Sequence, residues 1–508
     1  MTQLGVMEPR PEASGRHVDV LVVGAGLSGV CAGHYLQTTC PWATYEILEA
    51  RDCSGGTWDL FRYPGVRSDS DIFTLGYPFR PWTGEKSIVD GPSILRYIRE
   101  TAAEEGIDAR IRYNHRVLRA EWSTPDAHWR VTVERGDTGE RFELTCGFLF
   151  SCSGYYRYDR GYLPEFAGRD QFRGDVVHPQ AWPEDLDYKG KRVVVIGSGA
   201  TAVTLVPAMA DTAEHVVMLQ RSPTYITSMP ERNPLVGLLR RLLPARWSAP
   251  AIRWMNALMT QAFFQLSRRR PETMKRMLRR GVERLLPPGY DIDTHFTPRY
   301  NPWDQRLCLV PNGDLFKAIR DNKASVVTDH IRSFTPDGIM LESGQEIPAD
   351  VIVTATGIEL LFMGGIELIV DGDKVDPATR LTYKGMMLEG VPNLAQAIGY
   401  TNASWTLKAD LTCDYVARLV EHMRGTGTRQ CMPVNDEQGV VPVPLLGLES
   451  GYVQRSQHLF PKQGSAAPWQ MHQSFLADYR ALKRGQVADG VMVFSNPAAG
   501  GGTERLAG

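Results

Sequence analysis

The 508-residue sequence lacks several features that would point away from an ordinary globular protein. It contains eight cysteines but no Cys-x-x-Cys pair, which argues against a disulfide scaffold or a zinc ribbon and fits a reducing compartment. It contains no uninterrupted apolar run of about 20 residues, so we expect no membrane-spanning helix. Its 56 basic and 58 acidic residues nearly balance, so no overall charge excess indicates a nucleic-acid partner. The N-terminus has no signal-peptide pattern, and we therefore expect a cytoplasmic protein.

What the sequence does contain is a pattern of strand, glycine-rich loop, helix and strand that occurs twice. The first copy begins with Val18–Val23 and ends with Tyr45–Leu48, and the second begins with Arg192–Ile196 and ends with Val216–Leu219. Short continuous apolar runs predict strands that are buried on both faces of a parallel sheet. Because the two glycine loops begin 173 residues apart, they indicate two dinucleotide-binding domains and not a solenoid repeat.

The first glycine loop has the spacing of a dinucleotide-binding motif. In this context Gly24 suits a tight turn, Gly26 allows the close approach of a pyrophosphate, and Gly29 allows the helix to pack on the strand. Glu49 follows the second strand, where a carboxylate can accept hydrogen bonds from ribose hydroxyls. The first motif therefore predicts a dinucleotide site, and its contrast with the arginine-terminated second motif described next suggests that this dinucleotide is FAD.

The second glycine loop, Gly197-Ser-Gly199-Ala-Thr201-Ala202, ends in alanine, and the strand after it is followed by Arg221 in place of an acid. An arginine there can bind a 2′-phosphate that a carboxylate would repel. The alternative is that Arg221 is an ordinary surface arginine. We expect NADPH at this second site, with electrons passing from the nicotinamide to the flavin.

A basic region follows the second glycine motif. Residues 232–284 carry thirteen basic and two acidic side chains, with apolar residues at helical spacing between them. The region predicts a helical insertion. Its charge has two interpretations, either a solvated face or a surface that docks on anionic lipid or guides an anionic cofactor.

Together these patterns predict an α/β fold with two Rossmann-like dinucleotide-binding domains, for FAD and NADPH, and a helical insertion in the NADPH domain. Two apolar runs, Phe148–Cys152 and Val351–Thr356, are expected to be the crossings between the domains. The predicted divisions are 1–155 and 355–508 for the FAD domain with its C-terminal tail, 156–228 and 305–354 for the NADPH domain, and 229–304 for the insertion.

The region after the first motif does not fit a disulfide reductase. Such an enzyme needs a redox-active cysteine pair there, but Cys53 stands alone, followed by Gly55-Gly-Thr-Trp58. Another electron acceptor is required, and molecular oxygen is the simplest candidate. No metal site is predicted.

Two further motifs resemble those of type I Baeyer–Villiger monooxygenases. The segment 172–183 matches that family's fingerprint FxGxxxHxxxWP, and 55–69 matches its pattern (A/G)GxWxxxx(F/Y)P(G/M)xxxD. The resemblance covers nearly the whole chain and is greatest to the ethionamide-activating subgroup, in segments such as QRSPTYI and GYTNASWTLKAD. The residues that these two motifs contribute to the predicted sites are Gly56, Thr57, Trp58, Asp69, Phe172, Gly174, His178 and Trp182.

The resemblance implies an enzyme that uses FAD, NADPH and O2 to convert ketones into esters or lactones through a C4a-peroxyflavin, and that also oxidises sulfides or thioamides. It implies that Arg306 is catalytic and that Asp69 is its acidic partner. Gln305 stands where many relatives have a lysine that holds the 2′-phosphate, so more of the selectivity for NADPH is left to Arg221.

A physical argument supports the pair of Arg306 and Asp69. A fixed cation near the peroxide stabilises its anion and then the oxyanion of the tetrahedral intermediate, and a buried arginine needs a carboxylate to compensate its charge. Taken without the resemblance, the two residues could equally form an ordinary salt bridge.

The sequence allows more than one role for the histidine of the fingerprint motif. His178 has no neighbouring nucleophile or metal set in the sequence, so it is either a structural hinge histidine or a proton-transfer group. In the family this motif ties the two domains together. Trp182 is expected to be a packing anchor, and a helix over Leu407–Leu419 is expected to face the flavin with its N-terminus.

Two alternatives to a ketone oxygenase remain open at this point. One is an S- or N-oxygenating flavin monooxygenase, and the other is an NADPH oxidase that releases hydrogen peroxide without an oxygenated product. The physiological ketone or sulfide, the oligomeric state and peripheral membrane association are not determined by the sequence.

Overall fold

The computed structural model describes residues 15–436 and 439–497, and the final part of the predicted C-terminal tail lies outside this range. Each glycine motif lies at the end of a parallel strand in its own sheet, as the two-domain prediction requires. The helix after the first loop is Leu27–Thr39, and the helix after the second is Ala200–Met209.

The larger sheet is built around the first motif. Strand Arg141–Ser151 joins its two parts, because its first half pairs with an antiparallel meander and its second half with the parallel strands. Across the sheet the strands run Asp373–Lys374, Glu367–Val370, His115–Ser123, His128–Arg135, Arg141–Ser151, His17–Val23, Tyr45–Leu48 and Ile111–Arg112, with Leu394–Gln396 also beside Arg141–Ser151.

The second sheet has five strands, all parallel, and surrounds the second motif. Its inner strands Arg192–Ile196 and Val351–Thr354 are buried on both faces, as the continuous apolar runs predicted, whereas the edge strand Asp175–Val177 is partly exposed. Their order is Ala324–Thr328, His215–Gln220, Arg192–Ile196, Val351–Thr354 and Asp175–Val177.

The chain crosses between the two sheets twice, and the two crossing segments pair with each other. Tyr156–Gly161 lies antiparallel to Ile358–Leu360. They directly follow the buried strands that the sequence identified as leading to the crossings. We call the part around the larger sheet the flavin half and the part around the five-stranded sheet the nicotinamide half, after the cofactors predicted from the sequence. A short two-stranded hinge joins the two halves.

Smaller elements complete the fold. The further strand pairs are Ile226–Met229 with Cys308–Pro311, Thr382–Tyr383 with Met387–Leu388, Gln430–Pro433 with Met492–Ser495, and Pro442–Pro444 with Lys462–Gly464; Ile331–Thr335, Gly338–Leu341 and Glu346–Pro348 form a three-stranded sheet. The further helices include Thr57–Leu60, Ile72–Leu75, Gly91–Glu104, Asp314–Arg320, Trp405–Thr426, Gly451–Ser456 and Phe475–Asp478.

The basic region forms the helices Pro234–Leu242, Ala245–Arg269, Pro271–Glu283 and Ile292–Phe296. Two of its arginines do not lie on a solvated face. Arg253 donates to the carbonyls of Phe73, Thr74 and Gly76, and Arg240 donates to those of residues 82–84. The first two helices therefore dock on the flavin half, where Val236, Ile252 and Ala257 join its core. No helix in 15–436 or 439–497 is long and apolar enough to cross a bilayer.

Candidate active site

A cavity of about 810 Å³ lies between the two sheets and reaches both glycine loops. Its walls come from both halves of the molecule, so a ligand on one loop can extend toward the other. Of the predicted site residues, those that line it are Gly24, Gly26, Glu49, Gly56, Thr57, Trp58, Asp69, Gly199, Thr201, Gln305 and Arg306.

The first glycine loop is closely packed against its surroundings. Gly24 has a φ of +102°, and a Cβ there would lie 2.8 Å from the carbonyl oxygen of Cys152. A Cβ on Gly29 would collide with the carbonyl of Gly24, so Gly29 lets the helix approach the loop. Gly26 caps the helix without a side-chain hydrogen bond, which leaves backbone N–H groups to bind a pyrophosphate.

Glu49 directly follows the neighbouring strand, Tyr45–Leu48. Its carboxylate accepts hydrogen bonds from the backbone N–H of Ala25 at 2.8 Å and of Arg51 at 3.0 Å. Burial raises the pKa of this carboxyl, while those two backbone donors oppose the shift. The group is thus held in one orientation at the cavity wall, where a ribose hydroxyl could reach it.

The loop around Gly56 faces the first glycine loop. A Cβ on Gly56 would lie 3.1 Å from the Cα of Gly26, so the two loops pack directly against each other through their backbones. Below this loop, the carboxylate of Asp59 accepts from Arg51 at 2.5 Å and from Arg99 at 2.8 Å. Sequence reasoning missed this buried anchor, because an acid in a loop gives no signal of its burial.

Cys53 is also tied to Asp59, and its thiol donates to that carboxylate at 3.0 Å. Burial raises the pKa of Cys53 to about 12. The thiol is therefore protonated near neutral pH and is a poor nucleophile. This agrees with the sequence analysis, which argued against dithiol chemistry at Cys53.

The segment that follows leads from the flavin half to the nicotinamide half. Tyr63 joins the core of the nicotinamide half, and a Cβ on Gly65 would lie 2.7 Å from the Cβ of Ala208 on the helix after the second loop. Arg67 donates to Asp314 at 2.5 Å. The segment ends at Asp69, which these contacts hold in the cavity wall.

Asp69 forms an ion pair with Arg306, with 2.6 Å between Nη2 of the arginine and Oδ2 of the aspartate. The side chain of Arg306 is 30% exposed and that of Asp69 is 34% exposed, because both face the cavity and are not enclosed in the core. The carboxylate of Asp69 raises the pKa of Arg306 further above its ordinary value, against the effect of burial. The arginine is therefore a permanent cation, which remains partly open to a ligand.

Three tyrosines lie beside this ion pair, and no sequence motif indicated them. Tyr155, Tyr156 and Tyr452 are close enough for their charges to influence the pKa of Arg306. Burial raises the pKa of each phenol, while the arginine charge opposes the shift. The cation thus has neutral aromatic side chains beside it and the cavity in front of it.

The second glycine loop is more open than the first. Gly197 has a φ of +139° and approaches the carbonyl of Ala355, but a Cβ on Gly199 would meet no atom within 4 Å. Gly199 caps the next helix without a side-chain hydrogen bond, and Ala202 is buried beneath the loop. Free space and unpaired N–H groups at a helix start fit a pyrophosphate.

Arg221 lies outside the cavity lining and is exposed. A second cation, Arg455, lies near it, with its guanidinium 3.4 Å from the centroid of the Tyr162 ring. Burial lowers the pKa of Arg455, and the charge of Arg221 lowers it further. Neither arginine forms an ion pair within the described residues. Two uncompensated cations at this edge form a setting for an anion.

The fingerprint residues do not form one cluster. Phe172 packs edge-on against Phe334, and a Cβ on Gly174 would collide with the carbonyl of Asp350. Trp182 packs on the core of the nicotinamide half. These three residues therefore support the second sheet and do not line the cavity.

His178 lies at the hinge between the halves. Its Nε2 is 3.2 Å from the carbonyl of Gly357 on one crossing, and its ring packs against Gly161 on the other. Its Nδ1 accepts from the N–H of Gln180 at 3.2 Å. Burial lowers the pKa of His178, and a neutral ring with the proton on Nε2 satisfies both bonds. This geometry favours the hinge interpretation over proton transfer.

The helix predicted at Leu407–Leu419 extends over Trp405–Thr426. Its first residue lines the cavity, and the indole N–H of Trp405 donates to the hydroxyl of Ser28 at 2.8 Å. That bond joins this helix to the helix of the first glycine motif. The helix start therefore faces the same cavity as the glycine loop.

Comparison with known proteins agrees with this site. The model of the flavin-binding monooxygenase-like family matches residues 84–239, and that of an NAD(P)-binding Rossmann-like domain matches 22–85. The chain is 53% identical to the FAD-containing monooxygenase EthA of Mycobacterium tuberculosis, over 95% of this chain and 99% of that protein. It is 45% identical to the probable FAD-binding monooxygenase AlmA of Acinetobacter baylyi, over 94% and 96%.

Two solved structures are similar in fold. An oxidized steroid monooxygenase bound to NADP matches with a TM-score of 0.74 and 23% identity, over 94% of this chain and all of that one. An open form of cyclohexanone monooxygenase matches with a TM-score of 0.70 and 21% identity, over 83% and 90%. The predicted two-Rossmann fold and the predicted FAD-dependent monooxygenase class are thereby confirmed. The chain belongs to the family of FAD-containing monooxygenases that includes EthA, and its fold is that of the Baeyer–Villiger enzymes.

Proposed function

We propose that the protein uses NADPH and O2 to convert ketones into esters or lactones. The observation that carries this proposal is the ion pair of Arg306 and Asp69, which faces a cavity shared by both glycine loops. A ketone, O2, NADPH and a proton give an ester, NADP+ and water. One oxygen atom enters the carbon–carbon bond beside the carbonyl, and the other leaves as water.

The residues of the first loop fit FAD. Unpaired N–H groups after Gly26 would bind the pyrophosphate, and Glu49 would accept from a ribose hydroxyl. Gly26 and Gly56 have no side chains, so their backbones can approach the cofactor closely. When bound, FAD supplies the two-electron redox chemistry and the activation of oxygen.

The residues of the second loop fit NADPH. Gly199 and Thr201 would contact the pyrophosphate, and Arg221 the 2′-phosphate. Arg455 supplies a second cation at the same edge. Gln305 lines the cavity and provides no charge. The NADP in the similar steroid monooxygenase supports this assignment.

Arg306 then acts on charge that develops during oxygen transfer. A guanidinium fixed by Asp69 can donate to the ketone oxygen as negative charge accumulates there. The low-dielectric surroundings of three tyrosines strengthen that interaction. Asp69 is a positioning residue, since its carboxylate keeps the guanidinium in place. His178 joins the two crossings and supports the relative placement of the halves.

Sulfide and thioamide oxidation is proposed as a further reaction of the same cavity, because sulfur accepts oxygen without the cation that a ketone requires. We also propose a cytoplasmic location. For the domains we propose the boundaries predicted from the sequence, which fall after residues 155, 228, 304 and 354.

A product screen tests the proposal. Purified protein with NADPH is given linear, cyclic and aryl ketones and thioethers, and products are identified by mass spectrometry at several pH values. Esters from at least one ketone class are expected. Sulfoxides without any ester would support the S-oxygenating alternative, and hydrogen peroxide as the sole product would support the oxidase.

A further inference from the structure

The outer face of helix Pro234–Leu242 and the start of the next helix, Ala245–Arg269, carry exposed apolar side chains and arginines. Leu235, Leu238 and Leu242 are separated by three and four positions, which places them on one face of the helix. They are 47%, 50% and 67% exposed, and Trp247 just beyond is 60% exposed. We call the surface formed by Leu235, Leu238, Arg241, Leu242, Arg246 and Trp247 the basic apolar tip.

Core packing does not explain this face. The opposite side of the helix provides the attachment to the flavin half, through buried Val236 and through Arg240, whose guanidinium bonds to three carbonyls. Leucines are not needed on the outer side for folding. Nine of the thirteen large apolar side chains that are exposed in the described chain lie between Met229 and Met277. Such a concentration marks an interaction surface.

The charge of the surface identifies its partner. The sequence has no acidic residue between Glu231 and Glu272. Arg241 and Arg246 form no ion pair in the part of the chain that the structure covers, and Arg246 lies over the ring of Trp247. Unpaired arginines beside exposed leucines and a tryptophan are suited to an anionic lipid surface, where the apolar groups enter the bilayer interface and the arginines meet phosphates.

A second copy of the same surface is a poorer match. A twofold interface would bring the arginines of both copies together with no carboxylate between them, which costs free energy. We therefore propose that the basic apolar tip docks the enzyme peripherally on membranes with anionic headgroups. This inference goes beyond the proposed reaction and does not depend on it.

Vesicle co-sedimentation of the full-length, FAD-loaded protein tests the proposal. Vesicles of phosphatidylcholine alone are compared with an equimolar mixture of phosphatidylcholine and phosphatidylglycerol. We expect binding to the anionic vesicles that falls steeply with added salt. Equal binding to both vesicle types, or no binding to either, would overturn the proposal.

Two variants separate the apolar and ionic contributions. Leu238→Glu/Leu242→Glu should abolish binding, and Arg241→Gln/Arg246→Gln should weaken it roughly thirty-fold, at about a fivefold loss per arginine. The matched control Val441→Glu/Leu459→Glu changes two exposed apolar residues elsewhere and should bind like the unmodified protein.

Flavin content and unfolding temperature establish that each variant is folded, and analytical ultracentrifugation gives its oligomeric state. If the tip variants bind vesicles normally, the proposal is wrong. It is equally wrong if Leu238→Glu/Leu242→Glu converts an oligomer into a monomer while lipid binding persists.

Discussion

The two glycine loops begin in the same way but differ in how tightly the protein encloses them. In the flavin loop, Gly24 touches the chain at Cys152, and Glu49 is buried with both oxygens bonded. In the nicotinamide loop, Gly199 faces open space and Arg221 is exposed. The difference indicates a first site preorganised to retain its cofactor and a second site built for exchange.

The largest effect is expected from the matched pair Gly24→Ala and Gly199→Ala. Alanine at 24 would occupy a left-handed conformation and press on a backbone carbonyl, at a cost of about 3 kcal/mol. We expect loss of FAD and of activity. Alanine at 199 meets no protein atom, so it should retain FAD and only raise the KM for NADPH. Flavin absorbance of the purified variants measures this, and equal FAD loss in both would refute the comparison.

Next in size is Arg306→Ala, which removes the cation between the two loops. We expect the rate of ester formation to fall about a thousandfold, because a fixed donor to developing negative charge is lost. FAD content and NADPH oxidation should remain measurable. Arg306→Lys is the control that keeps the charge but loses the planar fork. Normal ester yield from Arg306→Ala, quantified by gas chromatography, would remove its assigned role.

A smaller effect is expected from Arg221→Ala. Loss of a charge-assisted bond to the 2′-phosphate should raise the KM for NADPH by about ten- to a hundredfold and leave that for NADH unchanged. Because Arg221 is exposed, the unfolding temperature should not change. Arg455→Ala and the double variant complete a thermodynamic cycle, in which non-additive effects indicate a shared phosphate. Equal increases for NADPH and NADH would contradict the assignment.

The smallest effect concerns His178 and pH. Burial keeps its pKa below the ordinary value of 6.5, and only the neutral ring can accept from Gln180. A histidine with a lowered folded pKa stabilises the hinge fully above about pH 6.5 and loses that contribution as pH falls through the folded pKa. His178→Phe should therefore lower the unfolding temperature at pH 8 by an amount that shrinks toward pH 5. A constant difference in thermal melts would exclude this role.

The sequence was sufficient to predict the bounds of strands that are buried along almost their whole length. Tyr45–Leu48 and Arg192–Ile196 have the predicted bounds, because these mostly apolar runs end where the chain leaves the sheet. The helix at Trp405–Thr426 is longer than predicted at both ends. Its last turn is largely exposed, so no apolar pattern marks where the helix ends.

The site was harder to predict because it joins distant segments. Arg306 and Asp69 came from the family resemblance, and no local pattern links residues 237 positions apart. The surrounding tyrosines come from two other segments. Arg253 looked like one charge of a basic face, but its guanidinium caps backbone carbonyls, a role that composition does not encode.

Both cofactor sites open on one cavity, in which we propose that Arg306 directs oxygen to an organic acceptor. The decisive experiment is turnover of a ketone with NADPH under isotopically heavy O2, followed by mass spectrometry of the ester. One heavy oxygen atom is expected in each ester molecule. If NADPH is consumed while all of the heavy oxygen appears in hydrogen peroxide and every ketone and thioether stays unchanged, the cavity does not transfer oxygen to an organic acceptor.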